Sequence, residues 1–267
     1  MKTLKLTQSH SVVSIELNRP EKRNAFQPEM ISELTQTFTD LAQEASVRAI
    51  VVSGAGATFC AGGDAEWMRS MAKFTREENL KDAEALFDMF NAIRTCPIPV
   101  IGKIHGHAMG GGLGIVALCD VVAAETKTVF CFSEVKIGLV PSVISPFVRE
   151  KLVPARASEW MITAKVFNAS EAMQAGLVHH VGDFASVDAY IENTLQLLNN
   201  AAPGAVRDTK KLLLAQSHTN WVEMRKLTSR VISERRVSDE GQKGLKAFLD
   251  KKTPDWGVDF YGTKPKA

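Results

Sequence analysis

Apolar and polar residues alternate from Leu4 to Thr7 and again from Val12 to Leu17, and the polar stretch Gln8–Ser11 between them predicts a β-hairpin. Asn18-Arg19-Pro20 ends the second strand. Pro28 suits the first turn of a helix, and helical spacing carries that helix to about Ala45. Arg48–Ser53 is a short apolar run that fits a buried strand. From about Ala65 to Arg94 the pattern is helical, with a charged middle, Lys73–Asp82, where a break is expected; Pro97 and Pro99 stop it. Val100–Ile104, Val121–Ala124 and Val129–Phe132 read as strands, with a helix between the first two. This recurrence predicts an α/β layer structure with largely parallel strands. Beyond about Val181 the β signal vanishes, and Ala185–Asn200, Pro203–Gln216, Trp221–Arg236 and Ser238–Lys251 all carry helical spacing.

Two glycine-rich turns punctuate this pattern. Phe59-Cys60-Ala61-Gly62-Gly63-Asp64 follows the third strand, and Ala108-Met109-Gly110-Gly111-Gly112-Leu113-Gly114 follows the fourth and opens onto the apolar run Ile115–Cys119. Three adjacent glycines are costly in a regular element because each loses much backbone entropy on folding. At a strand-to-helix junction they let a ligand approach the main chain and leave N–H groups pointing outward. Two such turns can supply two N–H donors to one oxygen, which is an oxyanion hole. Tight loops also use glycine, so the turns alone leave function open.

The remaining composition narrows the picture. A chain of 267 residues with 45% apolar residues is long enough for a substantial core. Net charge is +2, with acids and bases interspersed, which excludes a nucleic-acid stripe or an acidic tail. No apolar run approaches the roughly 20 residues of a membrane span. Met1–Leu17 alternates rather than forming the apolar segment of a signal peptide. Cys60, Cys96, Cys119 and Cys131 lack metal-ligand spacing and read as reduced, buried thiols, in keeping with a cytoplasmic protein. Cys60 has no evident neighbouring base that would make it a nucleophile. His105 and His107 have no third ligand in sight, so no metal is expected.

With both glycine turns, the segment Asn18-Arg19-Pro20-Glu21-Lys22-Arg23-Asn24-Ala25-Phe26 and the ending Gly244-Leu245-Lys246-Ala247-Phe248-Leu249-Asp250-Lys251-Lys252, the chain resembles the crotonase (enoyl-CoA hydratase/isomerase) superfamily over nearly its whole length. Trp67-Met68 with Met71, Glu77-Glu78-Asn79 and the stretch Leu139–Val148 look closest to 3-methylglutaconyl-CoA hydratases. The resemblance implies a crotonase-like ββα spiral over residues 1–200 that holds an acyl-CoA site. It also implies a helical region over 201–267 that drives trimer or hexamer formation and closes the site. The implied substrate is an acyl-CoA thioester, with coenzyme A part of the substrate and no separate cofactor. No nucleic acid or membrane partner is implied.

Carried onto this sequence, the oxyanion donors are the backbone N–H groups of Gly63 and Gly111, beside Gly110. The family's later catalytic glutamate matches Glu134, which apolar neighbours Val135 and Ile137 are expected to bury. The family's first glutamate is absent: its position is Gly114. Lys22 and Arg23 match a loop that meets the phosphates and pantetheine, and the backbones of Ala25 and Ala61 lie near pantetheine and adenine by the same carry-over. Glu66 stands where many relatives have a lysine near the adenine. Asp64 reads as a cap for the next helix, and Trp67 and Met68 as core or acyl-pocket wall. Pro141 and Ser142, with Ser145, belong to a loop expected to hold the acyl group, and Arg149 reads as an exposed helix residue. Phe248 and Lys251 resemble residues that reach coenzyme bound to a neighbouring subunit. The activity implied is hydration of a branched or carboxylated 2-enoyl-CoA such as 3-methylglutaconyl-CoA. The alternatives are a single-glutamate isomerase or other acyl-CoA lyase, and a non-catalytic acyl-CoA-binding protein.

Overall fold

The computed structural model describes residues 1–216 and 220–256. In chain order its strands are β1 (Leu4–Ser9), β2 (Val12–Leu17), β3 (Ala49–Gly54), β4 (Val100–Ile104), β5 (His107–Met109), β6 (Val121–Glu125), β7 (Val129–Cys131), β8 (Phe167–Asn168) and β9 (His180–Gly182). The helices are α1 (Pro28–Gln43), α2 (Ala65–Met71), α3 (Arg76–Thr95), α4 (Gly111–Leu118), α5 (Ser145–Arg149), α6 (Pro154–Thr163), α7 (Ala169–Gln174), α8 (Phe184–Asn199), α9 (Pro203–Gln216), α10 (Trp221–Val237) and α11 (Asp239–Leu249).

The larger sheet has the order β1-β2-β3-β4-β6-β9, and only its first pair is antiparallel. Its central strands are covered on both faces, which is why Ala49–Val52 and Val100–Ile101 are nearly unbroken apolar runs. One face packs against α1 and α3 through residues such as Leu34, Phe38 and Ile93. The other packs Ala49, Ile101 and Ala123 against Val187, Ile191 and Leu195 of α8. Each such large side chain taken out of water contributes about 1.5–3 kcal/mol before entropy is charged.

The break in the 65–94 region falls at 72–75, ahead of most of the charged stretch. Thr75 accepts from the Glu78 backbone while the Glu78 side chain accepts from Thr75, and this capping box starts a new helix through the charged residues. The short elements α6, α7 and β8 carry no predicted counterpart, and α5 is anticipated only in the reading of Arg149 as a helix residue.

The helical tail is observed as α8 to α11. The last three, α9 to α11, contain no buried residue. They are tied to one another by Arg235, which pairs with Asp208 and Glu240, while Glu240 accepts from the backbone N–H groups of Gly204 and Ala205. Lys210 anchors α9 to Asp120 and to the Ile98 carbonyl, and Arg207 donates to the carbonyls of Glu44 and Val47. All four partners precede strands of the large sheet, so α9 is fixed at the sheet's N-terminal edge. No described helix is long and apolar enough to cross a membrane.

The smaller sheet, β5-β7-β8, decides the geometry of the other end. β5 and β7 run parallel with Ala108 opposite Phe130 and Met109 opposite Cys131, and Cys60 forms a parallel bridge to Ala108. Three chain segments therefore leave this layer side by side, in the same direction. One leads to Gly63, one to Gly111 and one to Glu134.

Candidate active site

The first glycine turn is held between two neighbours. The Phe26 N–H donates to the Gly62 carbonyl at 2.7 Å, and the Asp64 N–H donates to the Phe26 carbonyl at 2.8 Å. Ala61 donates to the Arg23 carbonyl at 3.0 Å. On the other side, Cys60 donates to the His107 carbonyl and accepts from the Met109 N–H. Gly62 has φ of +89°, and a Cβ there would sit 3.0 Å from the Met109 carbonyl oxygen, so only glycine fits the left-handed turn at this contact.

Gly63 is thus flanked by bonded neighbours, while among the described residues its own N–H donates to no protein group. The same holds for Gly111, the first residue of α4, whose N–H has no partner within the helix. Gly63 and Gly111 each stand three positions past the paired Cys60 and Ala108. The expected pair of donors is therefore carried by adjacent turns on parallel segments.

Glu134 begins a 3-10 turn, Glu134–Ile137, just after β7. Its Oε1 would lie 3.2 Å from a Cβ on Gly110, and its Oε2 is buried with no hydrogen-bond partner. Burial pushes its pKa up, against a smaller opposing effect of its own backbone N–H. Val135 and Ile137 do not provide that burial: they are 37% and 63% exposed, because the 3-10 turn rotates them outward. The carboxyl lies instead against the second glycine turn. A partly desolvated carboxyl against the second glycine turn, whose Gly111 N–H donates to no protein group among the described residues, suits proton exchange with a carbon next to a polarised carbonyl.

The space beside Gly114 is filled. A Cβ there would meet Phe90 Cε1 and Cζ at 2.7 Å and Ile144 Cγ2 at 2.9 Å. Phe90 is fully buried, edge-on to Phe26 and tilted against Phe147. An apolar wall therefore stands where the family's first glutamate would project.

The other expected residues sort themselves by contact. Asp64 caps α2 by accepting from the Glu66 N–H, as expected. It also pairs with Arg19 at 2.9 Å while only 4% exposed. Burial opposes its charge, but the Glu66 backbone N–H and Arg19 hold its pKa below the usual carboxylate range. Lys22 is paired with Glu66 at 3.0 Å, so the phosphate candidate faces an acid. Arg23 adopts a left-handed conformation, and the carbonyl of the buried Ala25 accepts from Arg19. Trp67 is buried against Gly63. Pro141 is buried, Ser142 is exposed with its carbonyl taken by Ser145, and Arg149 is exposed. Phe248 is 78% exposed and Lys251 is exposed; both lie at the end of α11 and no hydrogen bond links them to the glycine turns. Residues 257–267 of the expected C-terminal region lie outside the described residues.

All four cysteines are free and buried, and burial pushes the Cys60 thiol up to about 12, which rules it out as a nucleophile near neutrality. His105 bonds the Gly56 carbonyl, and no group of three potential metal ligands occurs among the described residues.

Sequence reasoning missed Arg19 and Asn24 as parts of the site. Asn24 is fully buried, accepts from the Arg19 N–H and donates to the carbonyls of Ala55 and Thr58. Together they shape the loop that holds the first glycine turn. The signal was present: an Asn at the exit of a Pro-led turn, φ +54°, is a residue type that tolerates the left-handed region.

Comparison with known proteins gives one consistent answer. The family model described as Enoyl-CoA hydratase/isomerase matches residues 7–259. A crystal structure of an enoyl-CoA hydratase from Shewanella pealeana superposes with a TM-score of 0.90 at 34% identity, covering 95% of this chain and 96% of that one. An enoyl-CoA hydratase of Alternaria alternata is 35% identical over 74% of this chain and 65% of its own length. A mitochondrial dienoyl-CoA isomerase of Pongo abelii is 32% identical over 79% of this chain and 68% of its own.

Proposed function

The chain belongs to the enoyl-CoA hydratase/isomerase family, and we propose that within it the protein adds water to a branched 2-enoyl-CoA thioester, with Glu134 as the single acid–base carboxyl. One observation carries this reading: among the described residues the Oε2 of Glu134 is buried without a partner at the second glycine turn, and the N–H groups of Gly63 and Gly111 donate to no protein group. Glu134 takes a proton from water as the water oxygen bonds to the β carbon of the acyl group. The alkene electrons move toward the thioester, and the negative charge arrives on the carbonyl oxygen between the two N–H donors. Glu134 then returns its proton to the α carbon. Donors fixed before the charge develops are worth about a hundred- to a thousand-fold in rate each. The N-terminal end of α4 adds its positive dipole.

The branched acyl group is carried over from the resemblance of the Leu139–Val148 stretch, since Phe90, Ile144 and Phe147 are core residues with almost no exposed surface. A distal carboxylate, as in 3-methylglutaconyl-CoA, would take hydrogen bonds from Ser142 or Ser145, with Arg149, which is exposed, as the candidate cation. The filled space at Gly114 favours a second reading, isomerisation, in which Glu134 moves a proton between two carbons without adding water. In keeping with the family, coenzyme A is read as part of the substrate, with no separate cofactor. Residues 1–200 are read as the catalytic core. Residues 201–267 are read as an assembly unit for a homotrimer or hexamer, with the exposed apolar residues Leu245, Phe248 and Leu249 as its contact face. Phe248 and Lys251 then belong to a neighbouring subunit's coenzyme site. The compartment is read as cytoplasmic from the reduced cysteines.

The test is incubation with branched 2-enoyl-CoA thioesters, with and without a distal carboxylate, in 18O-labelled water. Hydration adds one labelled water to the product mass; isomerisation leaves the mass unchanged. Product of either kind from Glu134→Gln at the parent rate would overturn both readings.

A further inference from the structure

Trp67 and Asp82 form a contact that the chemistry above does not use. Trp67 Cε3 stands 3.9 Å from a Cβ built on Gly63, just behind the Met68 side chain at 3.6 and 3.7 Å, and the Trp67 indole Nε1 donates to Asp82 Oδ1 at 3.1 Å. Asp82 precedes Leu86 by four residues and Phe90 by eight, so the three share one face of α3. That face closes against α4 at its Phe90 end and against the oxyanion turn, through Trp67, at its Asp82 end.

The pairing is an expensive way to hold two helices together. Asp82 is half-buried, and among the described residues no cation pairs with it. Burial pushes its pKa up, with the Trp67 hydrogen bond working in the other direction. An apolar residue would pack the helices without that desolvation cost. Among the described residues, Asp82 is the acceptor that orients the Trp67 N–H.

We propose that Asp82 is a positioning residue for the oxyanion hole: it fixes the Trp67 ring, and the ring holds the Gly63 peptide so that its N–H stays aimed at the reacting oxygen. The proposal rests on the assignment of Gly63 as a donor. A donor displaced by about an ångström costs up to roughly a hundred-fold in rate. Such a loss falls on the transition state, where the charge resides, more than on ground-state binding.

The experiment compares the parent chain with Asp82→Ala, Asp82→Asn, Trp67→Phe and Glu134→Gln. Its first readout is the carbon-13 carbonyl resonance of labelled acetyl-CoA bound to each protein, which reports polarisation by the N–H pair without needing turnover. We expect the bound resonance of the parent and of Glu134→Gln to be displaced from that of free acetyl-CoA. In Asp82→Ala and Trp67→Phe it should move back toward the free value, and Asp82→Asn, which keeps an acceptor for the indole, should restore it. The second readout is kcat and KM on a branched 2-enoyl-CoA. kcat should fall about ten- to a hundred-fold in the two disrupting variants. KM should stay within about threefold, and combining the two changes should add nothing further. An unmoved resonance in folded Asp82→Ala, or a rise in KM alone, would overturn the positioning role. Absence of any displacement in the parent would overturn the oxyanion assignment with it. Loss of turnover on every substrate with the resonance pattern intact would count against the proposed reaction and leave the positioning role supported.

Discussion

Replacing Gly114 with alanine asks whether the apolar wall is as tight as it looks. Elsewhere in a helix this change stabilises by about 1 kcal/mol, because glycine loses more backbone entropy than alanine. Here the new methyl would stand 2.7 Å from two carbons of Phe90 and 2.9 Å from Ile144 Cγ2, whereas carbon atoms pack at about 3.5–4.0 Å. One side must give by nearly an ångström. Phe90 is fully buried between Phe26 and Phe147, and Ile144 is 3% exposed, so neither has solvent to move into. Overpacking of this kind costs about 1–3 kcal/mol. The net expectation is a loss of up to about 2 kcal/mol, and Gly114→Glu should lose more because it adds a buried carboxylate without a partner. The assay is urea unfolding of Gly114→Ala, Phe90→Leu and the double variant. Removing part of the ring should relieve the clash, so the double variant should be more stable than the two single losses predict, by about 0.5–3 kcal/mol of coupling. A Gly114→Ala protein about 1 kcal/mol more stable than the parent, with additive effects in the cycle, would refute the picture of a filled site.

Glu134→Gln should abolish turnover and keep binding of coenzyme A thioesters, as measured by calorimetry. It should also raise the urea midpoint near neutral pH, since burial raises the Glu134 pKa in the folded chain: the proton-bound form is favoured by folding, that contribution is complete below the unfolded value near 4.5, and it is lost as pH rises through the folded value. The stabilisation by Gln should therefore shrink as pH falls toward 4.5, and a gain that grows on acidification would contradict the burial argument. For the same reason the acid limb of kcat/KM should lie above the ordinary carboxylate range. Arg19→Met leaves Asp64 buried without its cation and should cost on the order of 3 kcal/mol in unfolding experiments, with kcat falling further than KM rises. Glu66→Gln releases Lys22 from an exposed pair and should lower KM for acyl-CoA by no more than about fivefold at low salt, an effect that 0.5 M salt should erase; no change at low salt would remove Lys22 from the phosphate site.

The parts legible in the sequence are those with a period or a punctuation mark. The hairpin, the central strands and the four C-terminal helices follow from spacing-2 and spacing-3.6 patterns that tertiary packing only reinforces. The two glycine turns announce themselves because no regular element tolerates such runs. The bounds of α5, and α7 altogether, stayed hidden because five- and six-residue helices are too short for a periodicity to emerge. α6 shows a mixed face, with only Ala157 and Trp160 buried. Glu134 is nominated by its family register, and the structure buries its carboxyl by a different route from the one expected. Val135 and Ile137 are neighbours in sequence, but a 3-10 turn sends them to solvent while Gly110, 24 positions earlier, takes their place. Phe90 and Ile144 show the same gap: nothing local says that two residues 54 positions apart close on Gly114.

In the proposed mechanism the catalytic arrangement is a register rather than a set of side chains. Cys60, Ala108 and Phe130 are aligned on neighbouring parallel segments, and these lead three or four residues later to Gly63, Gly111 and Glu134. Two of the three groups are backbone N–H donors, which no side-chain substitution removes directly. They fail through their supports instead. Arg19, Asn24 and Phe26 fix the first turn from one side and Trp67 from another, while Met109 and Cys131 fix the second. Activity in such a protein should therefore be most sensitive to residues that never meet the substrate, and least informative about them when read by alanine scanning of the pocket alone. The filled space at Gly114 fits this view. In the proposed mechanism backbone donors meet the oxyanion and one carboxyl serves as acid and base, so the position of a second carboxylate is left to core packing against Phe90 and Ile144.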